Sequence, residues 1–237
     1  GVNPLFYTIL EDAVVFSSEI KGLFCWPEFC PVLDRDGLNE IFSIGPARTS
    51  GCGVFRGVKE VLPGHWILCS GSTVRQKAYW KLESHPHEDS YEKTVEKTSF
   101  LIEDSVRRQM VSDVPICTFL SGGVDSSLVS ALCARELKKK NRQLTTFSFD
   151  FAGNRENLQA SAFQPSQDRP YVEQMVRYLD SDHHYLECDT RTQADLLENS
   201  VLAHDLPAMA DVDSSMLYFC SLVSPFCKVA LTGECAD

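Results

Sequence analysis

VPICTFLSGGVDSS, residues 114–127, decides how the rest of this 237-residue chain is read. Ile116 to Leu120 is a short apolar and β-branched run bounded by turn residues, the pattern of a buried strand. Ser121, Gly122 and Gly123 break it. Glycine admits backbone angles that a side chain forbids and lets the main chain approach a ligand closely. Asp125, Ser126 and Ser127 are of helix-capping type, and an amphipathic helix is expected over residues 128–137. Strand, glycine turn and helix start in that order aim backbone N–H groups and the positive end of a helix dipole at one point, which suits a phosphate. A Walker A loop would put a lysine on the terminal phosphates. No lysine lies between Val114 and Leu137. Hydroxyls and amides can instead hold a leaving pyrophosphate, and Asp125 can hold the magnesium that neutralises it.

After this stretch, strand and helix alternate. Strands are expected over residues 144–149, 184–188 and 228–231, and helices over 170–179, 194–203 and 214–222, the first with Pro170 at its start. Such alternation implies an α/β fold, a parallel sheet with helices on both faces. Ligands of such sheets sit beyond the carboxyl ends of the strands, where Leu120, Phe149 and Thr232 fall. Residues 153–169 read as a mobile excursion. Ahead of the central stretch, residues 91–111 repeat apolar positions at the helical period. Residues 54–80, with turns at Pro63, Gly64 and Gly71, read as short antiparallel strands. A short helix is expected over 38–44 and a polar linker over 81–90. Residues 4–10 and 13–16 read as a strand pair that could not fold alone. Residues 1–33 are therefore expected to end a larger N-terminal domain, with a second domain over 34–237.

Net charge is −11 and 43% of residues are hydrophobic. The first opposes a nucleic-acid surface, which would be basic, and the second supplies a real core. No apolar run approaches the ~20 residues of a membrane span. The ten cysteines show no C-x-x-C spacing, so buried free thiols in a reducing cytoplasm are expected. His183 and His184, and His85 and His87, are read as surface residues of polar loops.

The octet LSGGVDSS (120–127) resembles the signature of the ATP pyrophosphatases, which split ATP into AMP and pyrophosphate to adenylylate a substrate. LSGGVDSS, then TFSF (146–149), then LTGECAD (231–237) is similar to the synthetase domain of glutamine-hydrolysing asparagine synthetase. GVNPLFYT (1–8) resembles the end of that family's N-terminal glutaminase domain. SSEIKGL (17–23), DRDGLNE (34–40), GVFRGVKEVLPGHW (53–66) and SDVP (112–115) follow the family's course. The resemblance covers nearly the whole chain. It implies an adenine nucleotide alpha hydrolase-like, Rossmann-like sheet preceded by a small β remnant of an N-terminal nucleophile domain. It also implies a reaction: aspartate attacks ATP, β-aspartyl-AMP and pyrophosphate form, and ammonia from glutamine displaces AMP to give asparagine. ATP and Mg2+ are then expected, with no nucleic acid or membrane partner and a homodimer left open.

Residue by residue, the resemblance implies that Ser121, Gly122, Gly123, Val124, Asp125, Ser126 and Ser127 hold pyrophosphate, with Asp125 on magnesium. Leu120 and Phe149 would line the adenosine pocket, Phe149 standing where the family often has a smaller residue. Thr232 and Gly233 would border the nucleotide, Thr232 replacing the more usual serine. Glu234 would act beside the aspartyl-adenylate, and Asp237 would be the second magnesium carboxylate. The family's glutaminase nucleophile is an N-terminal cysteine; residue 1 here is glycine, and none of the cysteines can take that role. The family commonly has an arginine near residues 210–215, whereas ADVDSS there holds no basic residue. A relative adenylylating another carboxylate, such as a β-lactam-forming synthetase, stays open. So does a non-catalytic nucleotide-binding module, although two metal carboxylates, Asp125 and Asp237, speak against it.

Overall fold

The computed structural model describes residues 3–71, 73–154 and 167–233. The chain divides into two compact units, Gly1–Pro86 with Leu197–Ser214, and His87–Leu196 with Ser215–Asp237. In the first, β1 (Phe6–Ile9) pairs antiparallel with β2 (Val14–Ser17), and α1 (Ile20–Phe24) follows. α2 (Arg35–Ile44) starts earlier than its apolar pattern, because the Asp34 carboxylate accepts a hydrogen bond from Gly37 N at 3.1 Å. β3 (Val58–Glu60) then returns to the other edge of β1, with Phe6 opposite Glu60. Residues on both sides of position 33 therefore share one sheet. Phe6, Ile20, Leu23, Phe29 and Val58 form the core beneath it. β4 (His65–Ser70) and β5 (Thr73–Ala78) make a separate antiparallel pair.

The second unit begins with α3 (Tyr91–Gln109), whose N-terminus is capped by Ser90. β6 (Ile116–Phe119) leads through the glycine turn into α4 (Val124–Lys138). β7 (Thr145–Phe151), α5 (Arg169–Leu179), β8 (Asp182–Cys188) and α6 (Thr190–Asp195) follow in order. α7 (Leu197–His204) belongs to the first unit. α8 (Ala210–Val223) is continuous across the division at Ser214, and β9 (Val229–Leu231) ends the described chain. The sheet order is β8-β7-β6-β9, all parallel.

The two-residue period of a strand sorts this sheet's side chains onto two helical layers. Ile116 packs with Val106 of α3 and with Leu132, Cys133 and Leu137 of α4. Thr118, on the same face, shares a buried 2.8 Å hydrogen bond with Ser130 of α4. Cys117 and Phe147 point the other way, into a cluster with Val223 of α8 and Cys227. Helices thus cover both faces, as the alternation predicts.

Three expectations differ from the structure. The helix expected over 194–203 is two helices, α6 and α7, because Asp189 accepts from Thr192 N at 2.7 Å and starts a helix before the apolar pattern does. His183 and His184 are not loop surface residues. They lie on β8, each partly buried, and His184 stacks on Phe147 with centroids 5.1 Å apart. β8 is an edge strand whose polar first residues hide its period, so it begins two residues before the strand expected from 184. Cys117, Cys133 and Cys188 are buried free thiols, but Cys220, expected with them on an apolar segment, is exposed on α8. Burial pushes the Cys117 and Cys133 thiols up to about 12, so both stay unreactive. Of the excursion expected over 153–169, residues 155–166 lie outside the described residues. No helix among the described residues is long and apolar enough to cross a membrane.

Candidate nucleotide site

α4 starts one residue before Asp125, at Val124. Its N-cap is Gly123, with φ −68° and ψ 165°, and no side chain caps it. Asp125, Ser126 and Ser127 are consequently inside the first helical turn rather than at the cap, which corrects the expected helix start. With a glycine cap, no side-chain oxygen occupies the N–H groups of the first turn. Gly122 adopts φ +81°, where a side chain is strained, and a Cβ there would lie 2.7 Å from Tyr171 Cβ and 3.0 Å from Val172 N. The glycine therefore allows α5 to pack against the turn. Gly233 does the same after β9, where a Cβ would fall 2.5 Å from Ser126 N.

The serines have divided roles. Ser126, buried, accepts from Ser121 N at 3.2 Å, and its hydroxyl lies 2.9 Å from Ser121 Oγ and 3.3 Å from Gly123 O. It braces the turn from within. Ser127 Oγ is buried with no hydrogen-bond partner among the described residues. Leu120, at the end of β6, is buried. Its carbonyl accepts from Ser148 Oγ at 2.5 Å and its N–H donates to Phe147 O at 2.8 Å, which locks the base of the turn to β7.

Beyond the carboxyl ends of β6, β7 and β9 lies a cavity of about 440 Å³. Of the expected binding residues, Leu120, Ser121, Gly123, Asp125 and Ser126 line it from the turn. Phe149, Thr232 and Gly233 line it from the neighbouring strands. Gly122, Val124 and Ser127 do not line it: Gly122 is packed against α5, Val124 is 82% exposed, and Ser127 is turned into the helix packing. Glu234 and Asp237 lie outside the described residues. Phe149 is not free on both faces. It stacks on Phe219 of α8 at 4.3 Å and meets Phe119 edge-on at 4.8 Å.

Several lining residues escaped the sequence reading. Ser148 and Asp150 lie at the end of β7, where the carboxyl-end rule that singled out Phe149 could have found them. Asp168, Arg169 and Tyr185 come from the start of α5 and from β8. Asp150 Oδ1 accepts from Phe151 N and Asn154 Nδ2, both at 2.8 Å. Burial, reinforced by the charge of Asp150, raises the Asp168 carboxyl above the usual carboxylate range. The Arg169 guanidinium lies 4.1 Å above the Tyr185 ring and donates from Nε to Glu173 at 3.3 Å.

A carboxylate and a helix N-terminus share one cavity, which fits magnesium. That ion is usually held by one or two protein carboxylates together with substrate phosphates. Among the described residues no group of three or more His, Cys, Asp or Glu is placed to hold a metal by itself.

Fold and site together define an α/β protein with a helix N-terminus opening onto a cavity at the carboxyl end of a parallel sheet. Residues 98–237 match the asparagine synthase family and residues 1–80 match a glutamine amidotransferase domain. The chain belongs to the asparagine synthase family. It is 45% identical to asparagine synthetase (glutamine-hydrolyzing) 3 of Bacillus subtilis, over all of this chain and 39% of that protein. It is 27% identical to asparagine synthetase (glutamine-hydrolyzing) 2 of the same organism, over all of this chain and 32% of that protein. It is 27% identical to the amidase chyE of Penicillium rubens, over all of this chain and 36% of that protein. The chain thus spans well under half the length of these relatives.

Proposed function

We propose that this chain carries the ATP-using part of a cytoplasmic, glutamine-hydrolysing asparagine synthetase, a ligase. The observation that carries the reading is the cavity in which Ser121, Gly123 and Asp125 meet Phe149 and Gly233 beyond the strand ends. Aspartate, ATP and glutamine-derived ammonia are its substrates. The first-turn N–H groups of α4 and Ser121 receive the pyrophosphate end of ATP. Leu120, Phe149, Thr232 and Gly233 border its nucleoside. Asp125, with Asp237 as the second carboxylate the family resemblance implies, would hold magnesium, which would supply positive charge to the leaving pyrophosphate. The β-carboxylate of aspartate attacks the α-phosphorus, and the bond to the bridging oxygen breaks. Pyrophosphate leaves and β-aspartyl-AMP remains, and Glu234 is the residue that the family resemblance assigns to it. Ammonia then adds to the acyl carbon and AMP departs.

The amidotransferase match to residue 80 and the compact unit ending at Pro86 favour a glutaminase-type part that runs to the polar linker at 81–90, with the synthetase part after it. A second reading, adenylylation of another carboxylate, is favoured by Asp211 and Asp213 in a stretch without a basic residue. One assay separates the two. The full-length protein with MgATP is given a panel of carboxylic acids, and released pyrophosphate is measured. Aspartate is expected to give the highest kcat/KM. Release with a different acid alone would establish the second reading, and release with none would reject both.

A further inference from the structure

The cavity holds charges that a nucleotide does not explain. Among the described residues its charged lining consists of Asp125, Asp150, Asp168 and Arg169. Asp125 is committed to the magnesium and pyrophosphate end. The other three cluster where β7 ends and α5 begins, and Arg169 breaks a local rule for a helix start. Asp168 is the N-cap residue of α5, yet its carboxylate makes no capping bond; its backbone carbonyl alone accepts from Tyr171 N and Val172 N, each at 3.0 Å. Arg169 follows in the first turn, where a cation opposes the helix dipole. The pair with Glu173 one turn on offsets part of that cost, and breaches of a local rule concentrate at functional sites.

Arg169 is also held in one orientation. Tyr185 stacks under its guanidinium and Glu173 takes Nε, while the two terminal nitrogens have no partner among the described residues. Those nitrogens form the fork that grips a carboxylate in bidentate fashion. Beside it, Asp150 is fixed by two hydrogen bonds and Asp168 is close enough to feel its charge. Such a pair repels phosphate and attracts an ammonium group.

We propose that Arg169, Asp168 and Asp150 form the recognition site for an α-amino acid, with Arg169 on the α-carboxylate and the two aspartates around the α-ammonium. The inference rests on the adenylylation reading above and names how its substrate is chosen. It also supplies, from α5, the cation that residues 210–215 lack. The side-chain carboxylate of the bound amino acid is left facing the turn that holds ATP.

The test uses the full-length protein and pyrophosphate release with three acids. Aspartate carries both groups, succinate lacks the ammonium and β-alanine lacks the α-carboxylate. R169Q is expected to lower kcat/KM for aspartate about a hundredfold, because a site built for a polar group loses most of its discrimination when the bond is removed. It should leave β-alanine within about threefold, and the KM for ATP likewise. D168N should lower kcat/KM for aspartate about tenfold or more and leave succinate unchanged. R169K keeps the charge and loses the fork, so it should fall between wild type and R169Q. It also serves if R169Q does not fold. Analogues that turn over too slowly are read as inhibitors of the aspartate reaction, with the same pattern expected in their inhibition constants. An R169Q or R169K enzyme with wild-type selectivity overturns the inference while the adenylylation reading stands. A wild-type enzyme that releases pyrophosphate with no acid overturns that reading first.

Discussion

Asp125 stands one residue inside α4 and lines the cavity, while Gly123 serves as the cap. A capping role would make Asp125→Asn nearly silent, since Asn and Asp cap equally well. That role is closed to it by the helix start. A carboxylate facing phosphate oxygens is repelled unless a cation lies between them. In the full-length enzyme, Asp125→Asn is expected to leave ATP affinity within about tenfold and to slow pyrophosphate release about a hundredfold or more, because charge grows on the leaving group only as its bond breaks. Nucleotide binding by calorimetry and single-turnover pyrophosphate release check the two halves separately. Near-normal turnover at saturating magnesium would remove the metal role. The lost first-turn charge should cost only about 0.3–1 kcal/mol of stability.

The turn between β6 and α4 works as a unit with the start of α5. Gly122 at φ +81° leaves room for Tyr171 and Val172, and Ser126 holds the turn from inside. Gly122→Ala adds strain from its positive φ and a Cβ 2.7 Å from Tyr171 Cβ. Their sum should be about 2 kcal/mol or more, relieved only by moving α5 or unwinding the turn. Either response disturbs the cavity. The variant is expected to lower the urea midpoint and weaken ATP binding at least about tenfold. Gly123→Ala is the control: its φ is −68°, and the nearest atom to its added Cβ is Ser121 Oγ at 3.4 Å. Equal damage from both variants would show that close packing at Gly122 is not what shapes the turn.

At the scale of the whole molecule, the parallel sheet carries a titratable group the site does not use. His183 Nδ1 lies 2.7 Å from Thr146 Oγ1, and Nε2 is buried without a partner among the described residues. A neutral ring donating from Nδ1 leaves only a bare acceptor there. Protonation would add an N–H with nowhere to donate. Burial, and then the neighbouring His184, pull this group from its ordinary 6.5 down to about 4. Between those values the unfolded chain holds a proton that the folded chain refuses. Stability from this residue is therefore complete above pH 6.5 and is lost as pH falls toward 4. The slope approaches at most about 1.4 kcal/mol per pH unit. Urea midpoints of wild type and His183→Asn should converge between pH 7.5 and pH 5 by about that order, on top of the fall both share from their carboxylates. Parallel curves would place the acid sensitivity elsewhere.

The α/β class, the strand–turn–helix stretch and most of its cavity-lining residues were legible in the sequence because their causes are local. A β-branched run, two glycines and a helical period are neighbours along the chain, and their order already sets a strand end against a helix start. The family followed from the same motifs. What lay beyond reach depends on distant segments meeting. The polar residues at the start of β8 mask its strand period, so only pairing with β7 showed that the strand expected from 184 reaches back through His183. The sheet β2-β1-β3 joins residues separated by half a hundred positions, which no local pattern reports. Asp168 and Arg169 looked like the end of a polar loop, and Asp150 like the end of a strand. Only the packing of α5 against Gly122, and of Tyr185 beneath Arg169, brought them into one cavity with the turn. Local chemistry marks where a phosphate is held, but the pocket beside it is assembled from pieces of chain whose nearness is decided by the tertiary fold.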